Sequence, residues 1–268
     1  MTTETTTHTR VLADRLPEIR DILDSQPPHE RHERHLVVLP HAGGSASQYR
    51  FLRDLIPSSV RLSVARYPGR ERRINTPFAS SLYELADELA AAIMAAELHR
   101  PTILGHSMGS VLGYEVARRL MKTEEYRPAL LICSGRGPAF APVTSDLHTW
   151  SDDRLVEHVY TLGATPAGLL DSADARNAFL PPIRNDYRLV ETYQPDSTPA
   201  LPIDIHGFAG SADRTVSVDQ VAECARLTTA RFDLTVFRGG HFFLGEDSGT
   251  TQHTLAKLLV GREAPTSP

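Results

Sequence analysis

The chain has 268 residues, of which 41% are hydrophobic and 23% charged, a composition typical of a folded globular protein rather than a disordered one. Lys and Arg number 28 against 33 Asp and Glu, and the formal net charge of −5 argues against a nucleic-acid binder that relies on a basic field. The longest apolar run, residues 89–96, is too short to span a bilayer.

The two cysteines, Cys133 and Cys224, lie far apart and form neither a disulfide framework nor a zinc pattern, which fits a reducing compartment. The Thr-rich N-terminus lacks the apolar segment of a secretory signal. We therefore expect a cytoplasmic protein that binds neither nucleic acid nor a membrane.

An N-terminal extension covers residues 1–34. Within it, apolar residues recur at near-helical spacing over residues 10–25, which predicts one amphipathic helix, and Pro27 and Pro28 end that pattern. We expect the C-terminal residues 263–268 to be a disordered tail.

From residue 35 onward, short Val/Ile/Leu runs alternate with helical patterns. The predicted strands are residues 35–40, 61–66, 101–104, 129–133, 202–208 and 232–237, and the predicted helices are residues 46–56, 80–98, 107–121, 217–227 and 251–260. This alternation predicts βαβ units and an α/β fold, with a mostly parallel central sheet flanked by helices. We expect one domain over residues 35–262.

Residues 146–199 interrupt the alternation, because they contain helical patterns and no strand-like run. One helix is predicted to begin after Ser151, a suitable N-cap, and Pro166, Pro181 and Pro182 punctuate the rest. A helical insertion between two strands of one sheet is typical of a lid over an active site. The alternative is a packing subdomain without a gating role.

The segment Gly105-His106-Ser107-Met108-Gly109 follows a predicted strand and precedes a predicted helix. This is the context of a nucleophile elbow, G-x-S-x-G at a sharp strand-to-helix turn, and it predicts an α/β-hydrolase fold with Ser107 as the nucleophile. The N-terminus of the helix also carries partial positive charge at the point where an oxyanion would form.

A serine nucleophile needs a base and an acid that orients the base, and in this fold the chain order is Ser, acid, His. Asp213 lies in a loop just beyond the strand at 202–208, and His241 follows two glycines after the last strand. The other reading of Asp213 is a turn residue or helix cap. Among the competing histidines, His106 is expected to point away from the nucleophile.

An oxyanion hole needs two backbone N–H groups. One belongs to Met108, the residue after the nucleophile, and the other is expected from Ala42, in the loop after the first parallel strand. The other reading of that loop is a plain helix-capping turn. The sequence contains no motif for a metal, nucleotide or flavin, so we expect no cofactor.

Taken together, these segments resemble the type II thioesterases of polyketide and nonribosomal-peptide assembly lines. The resemblance covers residues 35–260. It rests on Leu39-Pro40-His41-Ala42-Gly43-Gly44, Tyr67-Pro68-Gly69-Arg70, the Ser107 elbow, Pro182-Ile183-Arg184-Asn185-Asp186 and Gly239-Gly240-His241-Phe242-Phe243-Leu244.

The resemblance implies an editing enzyme that hydrolyses acyl groups from the phosphopantetheine thiol of acyl or peptidyl carrier domains. It implies a Ser107–Asp213–His241 triad, an oxyanion hole of Ala42 and Met108, and partly apolar lid helices around an acyl chamber. Such carrier domains are usually acidic, so docking on a protein of net charge −5 requires a local basic face. Arg66, Arg70, Arg72 and Arg73 are one candidate for it, and a solvated loop is the other reading.

Two alternatives remain open from the sequence. The first is a general carboxylesterase or lipase acting on small esters, and the second is a carrier-binding module without catalytic activity. An Asp-nucleophile dehalogenase or epoxide hydrolase is disfavoured because the elbow carries serine. We expect the protein to be a monomer.

Overall fold

The computed structural model describes residues 21–29, 32–141, 143–195 and 200–260. Within these residues, seven strands form one sheet in the order β1-β3-β2-β4-β5-β6-β7. The strands are β1 (Leu23–Ser25), β2 (Arg34–Leu39), β3 (Val60–Ala65), β4 (Thr102–His106), β5 (Leu130–Ser134), β6 (Ile205–Gly210) and β7 (Phe232–Phe237). Strands β2 to β7 pair in parallel, and only the edge strand β1 runs antiparallel, on β3. The predicted mostly parallel sheet is confirmed.

Helices cover both faces of this sheet. They are α1 (Leu82–Ala95), α2 (Met108–Leu120), α3 (Asp152–Leu162), α4 (Ala173–Glu191), α5 (Val218–Ala222), α6 (Phe243–Glu246) and α7 (Ser248–Val260). Short 3-10 helices include Ala46–Asp54 and Glu223–Leu227. The predicted helix at residues 46–56 is therefore present as the tighter 3-10 form. None of the described helices has the length and apolar character needed to cross a membrane.

The core lies in two layers, because successive side chains of a strand point to opposite faces. Val37 of β2 packs on one side with α1 and α2, whereas Val38 packs on the other side with the 3-10 helix Ala46–Asp54 and α7. Both valines are fully buried. Burial of each large apolar side chain contributes about 1.5–3 kcal/mol to stability. The two core layers therefore hold the strands in place, together with the loops at the strand ends.

Two local predictions are wrong. The helix predicted over residues 10–25 fails at its C-terminal end, where Leu23–Ser25 form β1, and residues 10–20 lie outside the described residues. Ile22 and Leu23 are buried in the α1 and α2 layer of the core, so tertiary packing overrides the local helical spacing.

The second concerns Pro181 and Pro182, which do not break the helical pattern but lie inside α4. A proline inside a helix leaves the carbonyl four residues earlier without its N–H donor. Here those carbonyls belong to Asn177 and Ala178, which are exposed, so water can solvate them.

Candidate active site

Ser107 occupies a strained turn between β4 and α2. Its backbone has φ 54° and ψ −115°, outside the usual range for a residue with a side chain, and conformations of this kind cost about 1–3 kcal/mol. The Ser107 N–H donates to the carbonyl of Ser134 on β5 over 2.8 Å, which ties the turn to the neighbouring strand. The chain therefore bends as a nucleophile elbow does, with Ser107 at the N-terminus of α2.

The two glycines of this turn are required by close backbone contacts. A Cβ on Gly105 would lie 1.9 Å from the carbonyl oxygen of Gly109, and a Cβ on Gly109 would lie 1.9 Å from the carbonyl oxygen of Leu39. Both contacts are with backbone, which cannot rotate away as a side chain can. The elbow is thus packed directly against its own helix and against the end of β2.

Asp213 and His241 are hydrogen-bonded at the same edge of the sheet. Asp213 follows β6 and His241 follows β7, and the carboxylate Oδ2 lies 2.7 Å from the imidazole Nδ1. The other carboxylate oxygen accepts from the N–H and hydroxyl groups of Thr215, at 2.8 and 2.7 Å. Nδ1 carries the proton in this arrangement, since a carboxylate only accepts, and Nε2 is left as a base.

The pKa of Asp213 lies below its usual range. Burial alone would raise it, but the hydrogen bonds from His241 and Thr215, together with the electrostatic interaction with His241, outweigh burial. Thr215 also places its hydroxyl 3.0 Å from His241 Nδ1. The sequence analysis missed Thr215, although a threonine two residues after an aspartate is a common sign of a turn closed by the carboxylate.

The loop that carries His241 is held by acidic side chains from α6 and the residue that follows it. Gly240 N–H donates to Glu246 over 2.9 Å, and Arg238 N–H donates to Asp247 over 3.0 Å. Gly239 has φ +122°, and a Cβ there would lie 2.2 Å from a Glu246 carboxylate oxygen. Sequence reasoning did not identify Glu246, because nothing in its local pattern indicates this contact.

Two further histidines lie beside His241. The ring of His106 has its centroid 5.1 Å from that of His241, and its Nδ1 lies 2.9 Å from the Ser134 hydroxyl. The ring of His106 therefore packs against that of His241, and its direction relative to the Ser107 hydroxyl stays a prediction. The ring of His41 lies next to that of His106, with centroids 6.2 Å apart, and its Nδ1 is 2.7 Å from the Tyr49 hydroxyl.

These two neighbouring rings are uncharged at neutral pH. Burial, with smaller effects from His241 and Arg70, lowers the pKa of His41 to about 3, and burial lowers the pKa of His106 well below its usual value. Neither ring thus competes with His241 for a proton. Of these three imidazoles, His241 is the one that is hydrogen-bonded to a carboxylate.

The loop after β2 leaves one N–H group available. Within residues 41–45, four N–H groups donate to protein acceptors, namely those of His41, Gly43, Gly44 and Ser45. Ala42 is the remaining residue of this described loop. Met108 is the first residue of α2, so its N–H has no acceptor within the helix. These are the two N–H groups that the sequence analysis predicts for an oxyanion hole.

A cavity of about 190 Å³ is lined by His41, His106 and Phe242, which are the chain neighbours of Ala42, Ser107 and His241, and none of those three residues lines it. Its lining is largely apolar and aromatic, and it includes Ala164 from the segment after α3. The other lining residues include Tyr49, Phe51 and Leu244. A pocket of this size and character suits a short apolar group rather than a charged one.

Helices α3 and α4 pack over this edge of the sheet with an apolar cluster of their own: Leu155, Val156, Val159, Leu170, Leu180 and Ile183. Glu191 at the end of α4 accepts from the N–H groups of Leu147 and His148, at 2.8 and 3.0 Å. Burial lowers the pKa of His158 on α3, whereas the charge of Glu191 raises it and His241 lowers it slightly further. The His158 ring also lies against that of Tyr187 on α4, with centroids 5.8 Å apart, so the two helices pack together.

The predicted basic face is wrong for three of its four arginines. Arg66, Arg70 and Arg73 are buried, and they are paired with Asp24, Asp186 and Glu88 respectively. Only Arg72 is exposed, with its guanidinium 3.6 Å from Asp21. A buried arginine held by a carboxylate cannot serve as a docking charge, so these residues have structural partners instead.

The comparisons with known proteins agree with this geometry. The family described as "Thioesterase domain" matches residues 34–258. Thioesterase PikA5 of Streptomyces venezuelae is 36% identical over 234 residues, covering 86% of this chain and 83% of that protein. The chain belongs to the thioesterase domain family.

Solved structures support the same assignment. The type II thioesterase BorB from the borrelidin biosynthetic cluster superimposes with a TM-score of 0.78 at 31% identity, covering 88% of this chain and 96% of that one. RedJ, a thioesterase of the prodiginine pathway in Streptomyces coelicolor, gives a TM-score of 0.80 at 28% identity, over 86% and 92% of the two chains. The predicted resemblance to type II thioesterases and the predicted α/β-hydrolase fold are confirmed.

Proposed function

We propose that this thioesterase hydrolyses acyl groups from the phosphopantetheine thiol of acyl or peptidyl carrier domains, and so clears stalled or wrongly loaded units. The observation that carries the proposal is the 2.7 Å bond between Asp213 and His241 at the sheet edge where the Ser107 elbow stands. The relatives support the choice of substrate, because BorB is named as a type II thioesterase of a biosynthetic cluster and YbtT as one of an NRPS/PKS biosynthetic pathway.

The reaction begins with attack of the Ser107 hydroxyl on the thioester carbonyl. His241 Nε2 takes the hydroxyl proton, and Asp213 stabilises the imidazolium through Nδ1. The negative charge that develops on the carbonyl oxygen is bound by the N–H groups of Ala42 and Met108. Each such donor contributes on the order of 3 kcal/mol of transition-state stabilisation.

Collapse of the tetrahedral intermediate breaks the carbon–sulfur bond. His241 returns its proton to the departing thiol, and the acyl group remains as an ester on Ser107. Water then attacks this ester while His241 removes its proton, and the free acid leaves with Ser107 restored. No cofactor takes part in this scheme.

Residues 146–199 act as the lid in this proposal. The apolar cluster between α3 and α4, and the contact of Ala164 with the 190 Å³ cavity, support an acyl chamber beneath these helices. A phosphopantetheine arm is long and flexible, so it can deliver the acyl group to Ser107 while the carrier domain stays outside.

The test compares one acyl group on two leaving groups. We expect kcat/KM for the acyl group on a phosphopantetheinylated carrier domain to exceed kcat/KM for its p-nitrophenyl ester, because only the carrier substrate offers the arm and docking contacts. Equal values on both substrates would favour the general carboxylesterase instead. Ser107→Ala should abolish both activities. Ser211 is exposed and follows β6 directly, and Ser211→Ala should retain both activities.

A carrier-binding module without activity makes a different prediction. It would bind the carrier domain with wild-type affinity and hydrolyse neither substrate. Binding measured with a non-hydrolysable amide analogue of the acyl-phosphopantetheine separates this outcome from the two enzymatic ones.

A further inference from the structure

Two of the motifs quoted above take no part in the proposed chemistry, yet they meet in the interior. Arg70 of the Tyr67–Arg70 segment and Asp186 of the Pro182–Asp186 segment are 7% and 1% exposed. Their side chains form a bidentate ion pair, with Nη1 2.7 Å from Oδ2 and Nη2 2.9 Å from Oδ1. Such a planar, doubly bonded pair fixes the relative orientation of the two segments.

This ion pair is also hydrogen-bonded to the loop that carries Ala42. The carboxylate of Asp186 accepts from Gly43 N–H over 2.8 Å, and Arg70 donates to the carbonyl of Gly44 over 3.0 Å. The two residues that follow Ala42 are thus each held by one member of the pair. Since the peptide bond is planar, fixing Gly43 N also fixes the carbonyl of Ala42.

The segment that contains Arg70 holds the same loop at both ends. The Tyr67 hydroxyl donates to the carbonyl of Pro40 over 2.9 Å. The carboxylate of Glu71 accepts from the N–H groups of Ala46 and Ser47, at 3.2 and 3.0 Å. Residues 67–71 therefore bracket the loop from its first carbonyl to the start of the 3-10 helix.

Helix α4 closes the arrangement from the other side. Gly43 has φ +78°, and a Cβ on it would lie 2.6 Å from Ile183 Cγ1, three residues before Asp186. The loop is consequently pressed between the lid helix and residues 67–71. A shift of its backbone breaks the hydrogen bonds of Gly43 and Gly44 to Asp186 and Arg70.

We propose that Arg70 and Asp186 are positioning residues, which hold the loop 40–45 so that the N–H of Ala42 stays aimed at the oxyanion. This inference rests on the proposed function for its catalytic consequence, but the restraint on the loop stands on the contacts alone. Neither side chain touches the substrate. Their effect reaches the reaction through the backbone of Gly43 and Gly44.

The experiment uses Arg70→Lys, with Arg73→Lys as its matched control. Arg73 is equally buried and is also held by a carboxylate, that of Glu88, but it donates to the carbonyl of Arg66 rather than to the loop. We expect kcat of Arg70→Lys to fall about 10- to 100-fold with KM within about threefold, since a misplacement of about 1 Å can cost 10²-fold. Arg73→Lys should keep kcat within about twofold.

Two further variants separate charge from hydrogen bonding. Asp186→Asn keeps an oxygen that can accept from Gly43 N–H, so it should retain more activity than Asp186→Ala. Affinity for a trifluoromethyl ketone, which forms an oxyanion on Ser107, should fall in parallel with kcat/KM across the series. If Arg70 and Asp186 had only a structural role, stability would fall in all four variants, and the affinity for the trifluoromethyl ketone would not fall in parallel with kcat/KM.

Hydrogen exchange of a peptide covering residues 39–49 tests the restraint without reference to activity. Exchange should accelerate in Arg70→Lys and Asp186→Ala and stay at the wild-type rate in Arg73→Lys. Unchanged exchange in the first two variants would overturn the inference, as would equal losses of kcat in Arg70→Lys and Arg73→Lys. Failure of the proposed function would appear separately, as wild-type hydrolysis that survives Ser107→Ala.

Discussion

The fit of the elbow against β2 can be tested with a single methyl group. Gly109→Ala places a Cβ 1.9 Å from the Leu39 carbonyl oxygen and 2.8 Å from that of Pro40. A carbon and a carbonyl oxygen ordinarily approach no closer than about 3.3 Å. The helix α2 and the end of β2 must therefore separate by roughly 1.4 Å at this point, if the contact is to be relieved.

That displacement affects both stability and catalysis. Overpacking of a core typically costs about 1–3 kcal/mol, and we expect the upper end because only backbone can yield. A loss of about 3 kcal/mol lowers Tm by roughly 6–12 °C for a protein of this size. Ser107 lies at one side of the contact and the Ala42 loop at the other, so kcat should fall at least about 100-fold.

The control is Gly249→Ala, the same substitution in another helix. Gly249 is exposed in α7, and a Cβ there would meet no atom within 4 Å. Replacing a glycine at such a position stabilises by about 0.4–1 kcal/mol, so Tm should rise slightly and activity should not change. Thermal denaturation and the rate of Ser107 labelling by a fluorophosphonate measure both effects. A Gly109→Ala protein with wild-type Tm and labelling rate would refute the packing argument.

Three other predictions concern charged side chains. Asp213→Asn should lower kcat by about 10³- to 10⁴-fold, because a neutral amide cannot stabilise the imidazolium. Since the pKa of Asp213 is lowered in the folded state, its contribution to stability is present above the unfolded pKa of about 3.9 and is lost as the pH falls through the folded value. The Tm difference between wild type and Asp213→Asn should therefore shrink from pH 7 to pH 3, and a constant difference would contradict the assigned pKa direction. Glu191→Ala leaves the N–H groups of Leu147 and His148 without their acceptor. The free energy of unfolding measured in urea should fall by about 2–3 kcal/mol. A loss below about 0.5 kcal/mol would show that water replaces the carboxylate. Arg72→Glu should leave stability within about 0.5 kcal/mol, whereas Arg66→Glu should cost at least about 3 kcal/mol, and similar melting curves for both would contradict the assignment of Arg66 to a buried pair.

The sequence predicts a triad of Ser107, Asp213 and His241, because the chemistry constrains the residue types, their order and their place at strand ends. The local signal is strong at each position: glycines on both sides of Ser107, a turn after β6, and two glycines before His241. The structure brings Asp213 and His241 into direct contact. The positions of most strands can likewise be predicted from the sequence, since runs of Val, Ile and Leu are typical of a parallel sheet buried on both faces.

Supporting contacts between distant segments are beyond such reasoning. Arg70 and Asp186 are 116 residues apart, and no residue near either of them in the sequence indicates that the two side chains pair. Arg70 therefore reads as an exposed loop charge, whereas it is buried in an ion pair. The strand Leu23–Ser25 could not be predicted either. Three residues are too few to show a hydrophobic periodicity, and this edge strand depends on its pairing with β3.

The proposed mechanism requires Ser107 to carry the acyl group during cleavage of a carrier-bound thioester. Mass spectrometry of the intact enzyme, after rapid mixing with an acyl-loaded carrier domain and acid quenching, detects this intermediate. We expect an enzyme species heavier by one acyl group, mapped to Ser107, with a matching rise in the free phosphopantetheine thiol. Ser107→Ala should form no such species and leave the acyl group on the carrier domain. Hydrolysis of the carrier thioester by Ser107→Ala at the wild-type rate would show that Ser107 is not the nucleophile.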